Sequence, residues 1–278
     1  MYMNNYLDAA IEIAREAGQV LLSHRGVGFE LKGAYDLVTA ADRASEQLIV
    51  ERLKQRFPQH GIVAEEGGRA EMNAELRWYV DPLDGTTNFA HGFPMWNITL
   101  ALARRGEVIA GVIFDPLNRE LFAAERGAGA RLNGAPIHVS TVPVLNDSLV
   151  ATGFPSRKRH LNVNIHFYYQ LAMVTHGVRR GGSAALDLAY TACGRLEAFW
   201  EFGLNPWDMA AGTLLVEEAG GKVSGMRGEP LDLHGRYVLA DNGLIHRETL
   251  ALFEEVFRGE YRAEMPGLPA PEWELQHG

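Results

Sequence analysis

The chain has one cysteine, Cys193, in 278 residues. A single thiol excludes an intrachain disulfide and a thiolate metal cluster, and it fits a reducing compartment. Positive charge is scarce as well: 26 Lys and Arg face 35 Asp and Glu, a formal net charge of −9. That deficit argues against binding nucleic acid or anionic lipid through the general surface, so an anionic ligand needs a local source of positive charge. No stretch approaches the roughly 18 consecutive apolar residues of a membrane span. Residues 1–30 place Asp8, Glu12, Arg15 and Glu16 inside their apolar pattern, unlike the uninterrupted core of a secretory leader. The expectation is a soluble, cytoplasmic protein. The ten histidines contain no HxH or HxxxH spacing, and no Ser-His-Asp arrangement is recognisable, so neither a histidine metal site nor a serine nucleophile is expected.

What remains is ordinary globular material, 47% hydrophobic and 22% charged, with length enough for one large domain or two smaller ones. Leu7, Ile11, Ala14, Ala17 and Leu21 recur at helical spacing and predict an opening helix. "DLVTAAD" predicts a second, with Thr39 as cap, Asp42 in its first turn, Ile49, Leu53 and Phe57 inward, and Pro58 ending it. "GIVAEE" and "LRWYVD" read as strands. From Asn97 to about Ser140 the pattern turns to period two, with Arg105-Gly106 and Asn133-Gly134 as tight turns, which is an antiparallel meander. Strands and helices then alternate, ending in an irregular tail from Pro266 with Pro269 and Pro271. This order predicts a layered α+β fold with halves at 1–140 and 141–278 joined in one compact unit.

The acids stand at element ends. Glu65 and Glu66 close one strand, Asp81 closes another, Asp84 begins the helix after it, and Asp208 comes just after Pro206. Each position alone is one that a turn or helix cap selects. If the fold gathers them, their repulsion calls for a cation, and an all-oxygen donor set suits Mg²⁺ or Mn²⁺ rather than zinc or copper. The N–H groups of Gly85, Thr86 and Thr87 in "GTTNF" would then offer an anion site beside it.

"AEE" with "DPLDGTTNF", together with "DLVTAAD", "GSAALDLAY" and "NPWDMAAGTLLVEEAGG", resembles the inositol monophosphatase family over nearly the whole chain. The resemblance implies an alternating five-layer αβαβα sandwich, a homodimer, and lithium-sensitive hydrolysis of inositol 1-phosphate or a related polyol phosphate. Glu65, Asp81, the Leu83 carbonyl, Asp84 and Asp208 would hold two or three Mg²⁺ ions, with Mn²⁺ as a substitute. Thr86, paired with Asp42, would orient and deprotonate a water, with Glu65 as part of the catalytic set. Gly85 and Thr86 amides would hold the phosphate; Gly182, Ser183, Ala184, Glu201 and Asp208 would face the rest of the substrate. Fructose 1,6-bisphosphate and histidinol phosphate are alternative substrates. A regulatory role binding RNA polymerase or ribosome assembly factors is the alternative from another class. Arg179 and Arg180, which could grip a second phosphate, are expected instead on a solvated strand end or dimer edge.

Overall fold

In the computed structural model, which describes residues 6–26, 28–33, 36–67, 69–70, 74–154, 162–264 and 267, alternate strand residues face different cores, as a pleated backbone requires. Trp78 and Val80 enter one core and Tyr79 a second. Phe199 joins that second core, while Ala198 and Trp200 enter a third. Three cores separated by two sheets make five layers.

The chain opens with α1 (Tyr6–Ser23), the hairpin β1 (Phe29–Gly33) and β2 (Asp36–Thr39), and α2 (Ala40–Arg56). Next come β3 (Gly61–Ala64), β4 (Arg69–Ala70), β5 (Leu76–Asp84) and the short α3 (Thr86–Ala90). The expected meander comes next as β6 (Asn97–Arg104), β7 (Glu107–Asp115), β8 (Glu120–Glu125), β9 (Gly129–Leu132) and β10 (Ala135–Pro136). Both of its predicted turns have positive φ at both central residues, 52° and 90° at Arg105-Gly106 and 50° and 85° at Asn133-Gly134, the geometry that matches strand twist. The larger sheet has the order β10-β9-β8-β7-β6-β5-β3-β4. The pairing of β3 with β5 is parallel, and its other pairings are antiparallel.

Beyond it lie β11 (Leu149–Thr152), α4 (Asn164–Val174), β12 (Gly177–Arg179), α5 (Ala184–Ala192), β13 (Ala198–Phe202), α6 (Pro206–Glu218), β14 (Lys222–Ser224), β15 (Tyr237–Asp241) and α7 (His246–Phe257). The smaller sheet has the order β12-β11-β13-β15-β14. Helices α1 and α2 cover one face of the larger sheet, α5 and α6 fill the space between sheets, and α4 and α7 cover the far side. The middle layer is close because small residues face each other: a Cβ on Gly111 of β7 would lie 2.9 Å from the Ala211 Cα of α6.

Several expectations shift. The inward stripe of α1 is Ala10, Ile13, Ala14, Ala17 and Leu21, with Leu7 and Ile11 only half-buried, because Gly18 and the alanines let the helix sit against Phe114. The strand read in "GIVAEE" stops at Ala64, leaving Glu65 and Glu66 in the turn after it. The hairpin β1–β2 and the two-residue β4 were not expected; they exist through pairing with a neighbour rather than through strong local preference. Pro266, Pro269 and Pro271 lie outside the described residues.

Candidate active site

Strand β5 explains how two aspartates come to face the same place. Its register with β6 runs regularly to Asp81, then shifts before Asp84 pairs with Asn97. Pro82 cannot donate to a ladder, so the irregularity falls there and re-aims the residues beyond it. The Leu83 N–H turns back to Asp81 Oδ1 at 3.0 Å, and the Ser45 hydroxyl donates to the Pro82 carbonyl at 2.9 Å. Gly85 then takes φ 91°, and a Cβ there would lie 2.8 Å from the Met95 carbonyl oxygen, so this turn requires glycine.

Asp84 is held by three donors on one oxygen: Ser183 Oγ at 2.6 Å, the Ala185 N–H at 2.9 Å and Asn97 Nδ2 at 3.1 Å. The Thr86 hydroxyl donates toward Asp42 Oδ1 at 3.0 Å and the Leu83 carbonyl at 3.1 Å. Asp42 is fully buried, and its Oδ2 accepts from the Thr39 N–H at 2.7 Å and the Thr39 hydroxyl at 2.5 Å. Asp208 Oδ2 accepts from the Asn205 N–H at 2.6 Å and its side-chain amide at 3.3 Å.

These residues surround a cavity of about 660 Å³. Its lining includes Glu65, Asp84, Gly85, Thr86 and Asp208 together with Gly182, Ser183, Ala184 and Glu201. Asp42, Asp81 and Leu83 lie buried beneath it; Thr86 joins Asp42 and Leu83 to the cavity wall. Every residue that the resemblance names for the site is thus in the wall of one cavity or buried beside it, whereas Glu66, the fifth of the acids at element ends, does not line it. The anion-binding helix start is smaller than expected, since α3 has five residues. Glu201, on β13, is 8% accessible and lines the cavity. Arg180 departs from expectation, lining the cavity, whereas Arg179 ends β12 exposed. Arg236, Asn88, Asn97 and Asp187 were given no role from sequence, although Asn88 lies inside "DPLDGTTNF" and Asp187 inside "GSAALDLAY".

The electrostatics are those of a site built for a cation. Burial, then the charges of Glu65, Asp84 and Asp208, push the Asp81 carboxyl well up, with the Leu83 N–H opposing. Burial raises Asp84 despite its Ser183, Ala185 and Asn97 partners. Asp208 keeps some surface in the cavity, yet burial pushes it up to about 7, with Asp84 adding to the rise. Burial and then Asp187, Asp208 and Asp84 raise Glu201, while Arg180 opposes. Carboxylates that raise one another in this way fit a hard divalent ion, which would relieve the repulsion. Among the described residues no three acidic, histidine or cysteine side chains close into a finished ion site, so the oxygens stand near one another without forming a shell.

A second chemical arrangement, not expected from sequence, proves to be architectural. His246 Nδ1 is 2.6 Å from Asp241 Oδ2, and its Nε2 is 3.4 Å from Ser224 Oγ. All three are buried, none lines the cavity, and the Ser224 hydroxyl donates to the Gly225 carbonyl at 2.8 Å. The trio anchors the start of α7 to the smaller sheet.

A five-layer sandwich with strand-end and helix-start acids around one cavity defines a phosphatase of the layered sugar-phosphate type. The chain belongs to the inositol monophosphatase family, whose model matches residues 3–258. It is 45% identical to the inositol-1-monophosphatase of Synechocystis sp. over 251 residues, covering 88% of each chain. It is 43% identical to the Nus factor SuhB of Pseudomonas aeruginosa over 250 residues, 86% of this chain and 92% of that one. The solved inositol monophosphatase of Anabaena (Nostoc) superposes with a TM-score of 0.84 at 42% identity, covering 93% of this chain and 97% of the other. Among the described residues no helix is long and apolar enough to cross a membrane.

Proposed function

We propose that the protein is a cytoplasmic, homodimeric, Mg²⁺-dependent phosphomonoesterase that hydrolyses inositol 1-phosphate or a related polyol monophosphate. The observation that carries the proposal is the Thr86 hydroxyl, held between Asp42 and the Leu83 carbonyl beside Asp84. Glu65, Asp81, the Leu83 carbonyl, Asp84 and Asp208 would hold two or three Mg²⁺ ions, with Mn²⁺ as a substitute. When bound, such ions supply positive charge to the phosphoryl oxygens and the leaving alkoxide, and lower the pKa of water.

The remaining work belongs to the chain. The Thr86 hydroxyl has one proton, directed at Asp42 and Leu83, so its lone pairs are available to a water facing the phosphorus. As that water attacks, its proton passes to Thr86 Oγ1 and the Thr86 proton passes to Asp42 Oδ1. Asp42 can receive it there because Thr39 occupies Oδ2. The Gly85 and Thr86 amides hold the phosphate. Glu201 accepts hydrogen bonds from the polyol, and Gly153 leaves it room, since a Cβ there would lie 2.0 Å from Glu201 Oε2.

A panel of inositol 1-phosphate, fructose 1,6-bisphosphate and histidinol phosphate, assayed with Mg²⁺ and with EDTA, tests the proposal. The highest kcat/KM should fall on inositol 1-phosphate; release from none of them would overturn it. A second reading, a regulatory binding role, rests on the relative named a Nus factor. Recovery of RNA polymerase on the immobilised protein tests that role, and light scattering tests the dimer.

A further inference from the structure

The stretch Asp84–Thr86 and the stretch Gly182–Ala184 are distant in the chain; among the described residues, besides the bond from Asn97 Nδ2 to Ser183 Oγ at 2.8 Å, two ties hold these two parts of the cavity together. One runs through a carboxylate: Ser183 Oγ and the Ala185 N–H both donate to Asp84. The other runs through Asn88, a residue 9% accessible on α3. Its Nδ2 donates to the Met95 carbonyl at 2.7 Å, the Gly181 carbonyl at 2.9 Å and, more weakly, the Gly182 carbonyl at 3.4 Å.

Each of these carbonyls sits where displacement matters. The Met95 oxygen is the atom that a Cβ on Gly85 would meet, so Asn88 and the phosphate turn rest on the same carbonyl. Asn88 also closes its own loop, as its backbone oxygen accepts from the Phe93 N–H at 2.8 Å. Gly181 has no slack: a Cβ there would lie 2.2 Å from Met95 Cε and 3.2 Å from Asp187 Oδ1. At Gly182, with φ 86°, a Cβ would lie 3.2 Å from Asn88 Nδ2 and 2.8 Å from Arg180 Nη1. One amide is therefore the meeting point of the turn carrying Gly85 and Thr86 and the loop leading into Ser183 and Ala184.

We propose that Asn88 is a positioning residue that sets the distance between the phosphate-holding turn and the polyol-facing loop, and so governs preference for a polyol phosphate over a simple aryl phosphate. The inference rests on the phosphomonoesterase reading. A polyol phosphate must touch both parts at once, whereas an aryl phosphate needs only the phosphate part. Asn88 touches no carboxylate among the described hydrogen bonds, so its loss separates positioning from ion binding in a way that loss of Ser183 would not.

The test compares kcat/KM for inositol 1-phosphate and p-nitrophenyl phosphate at saturating Mg²⁺ in wild type, Asn88→Ala and Asn88→Ser, with thermal melts of each. The ratio of the two values should fall about tenfold in Asn88→Ala, the scale of one lost hydrogen-bonding group, mostly through KM for inositol 1-phosphate. Asn88→Ser keeps one donor; it should show a smaller fall, and serves if the alanine variant does not fold. Equal losses on both substrates, or an unchanged ratio in the folded variants, overturn the inference while leaving the phosphatase reading intact. A wild-type protein that hydrolyses neither substrate overturns the phosphatase reading itself.

Discussion

Helices α2 and α6 open with the same device and put it to different use. In each, an aspartate three residues past the cap reaches back to the cap's own N–H, Asp42 to Thr39 at 2.7 Å and Asp208 to Asn205 at 2.6 Å. Such caps contribute on the order of 1 kcal/mol each. The structural reading of both acids is therefore correct, and it is incomplete. A cap uses one carboxylate oxygen. In Asp42 the other oxygen accepts from Thr86; Asp208 lines the cavity, where burial and the Asp84 charge push it up to about 7. A capping aspartate at a cavity thus commits one oxygen to the helix and leaves the other for the chemistry proposed above.

The largest expected effect lies outside this pair and shows what the pair serves. Asp84→Asn should lower turnover roughly a thousandfold or more, since it removes charge from the ion site, while the melting temperature changes little because the amide keeps the shape. Near-normal turnover at limiting Mg²⁺ would show that Asp84 is only a clasp for Ser183 and Ala185. Thr86→Ala should cut kcat by roughly 10²–10⁴, the usual range for a lost proton-transfer group, with KM nearly unmoved. A change confined to KM would make Thr86 a binding residue and would leave Asp42 without the role that sets it apart from Asp208.

Specificity should show smaller effects. Glu201→Gln should reduce kcat/KM for inositol 1-phosphate roughly ten- to a hundredfold, because it removes a charged acceptor, with little change for fructose 1,6-bisphosphate. Arg180→Ala should affect inositol 1-phosphate less, since that substrate has no second phosphate for it to hold, and Arg179→Ala should be silent. A large loss for the bisphosphate in Arg180→Ala would identify a second phosphate subsite. The smallest effect concerns stability without metal. The folded Asp208 carboxyl titrates at about 7 against an ordinary value of 3.8, so its contribution is full below that ordinary value and is lost as pH rises through about 7. Melting curves in EDTA should therefore fall from pH 4 to pH 8 more steeply in wild type than in Asp208→Asn, and Mg²⁺ at pH 8 should restore the wild-type value. Equal slopes would remove the electrostatic distinction between Asp208 and Asp42.

What could be read in advance was local. The Thr39–Asp42 cap, the two meander turns and the acids around Pro82 are each written within a few residues of sequence. The cavity's other wall is not. Asn88 meets Gly181 across 93 positions and Ser183 meets Asp84 across 99; no periodicity encodes such contacts. Arg236 reaches the cavity from a position with φ 65° while its guanidinium donates to the Gly203 carbonyl, and nothing around it in the sequence marks that geometry. Glu201 could be named only by resemblance, because an acid at a strand end looks the same whether it faces water or a substrate.

The contrast between the two capping aspartates is tested most directly by the Mg²⁺ dependence of phosphate release from inositol 1-phosphate, measured on wild type, Asp42→Asn and Asp208→Asn. Wild type should release none in EDTA and saturate with Mg²⁺. Asp42→Asn should saturate at the same Mg²⁺ concentration with a low plateau, and Asp208→Asn should need more Mg²⁺ to approach its own. Release that persists in EDTA, or two variants that shift the Mg²⁺ midpoint alike, would contradict the assignment of proton transfer to one aspartate and ion binding to the other.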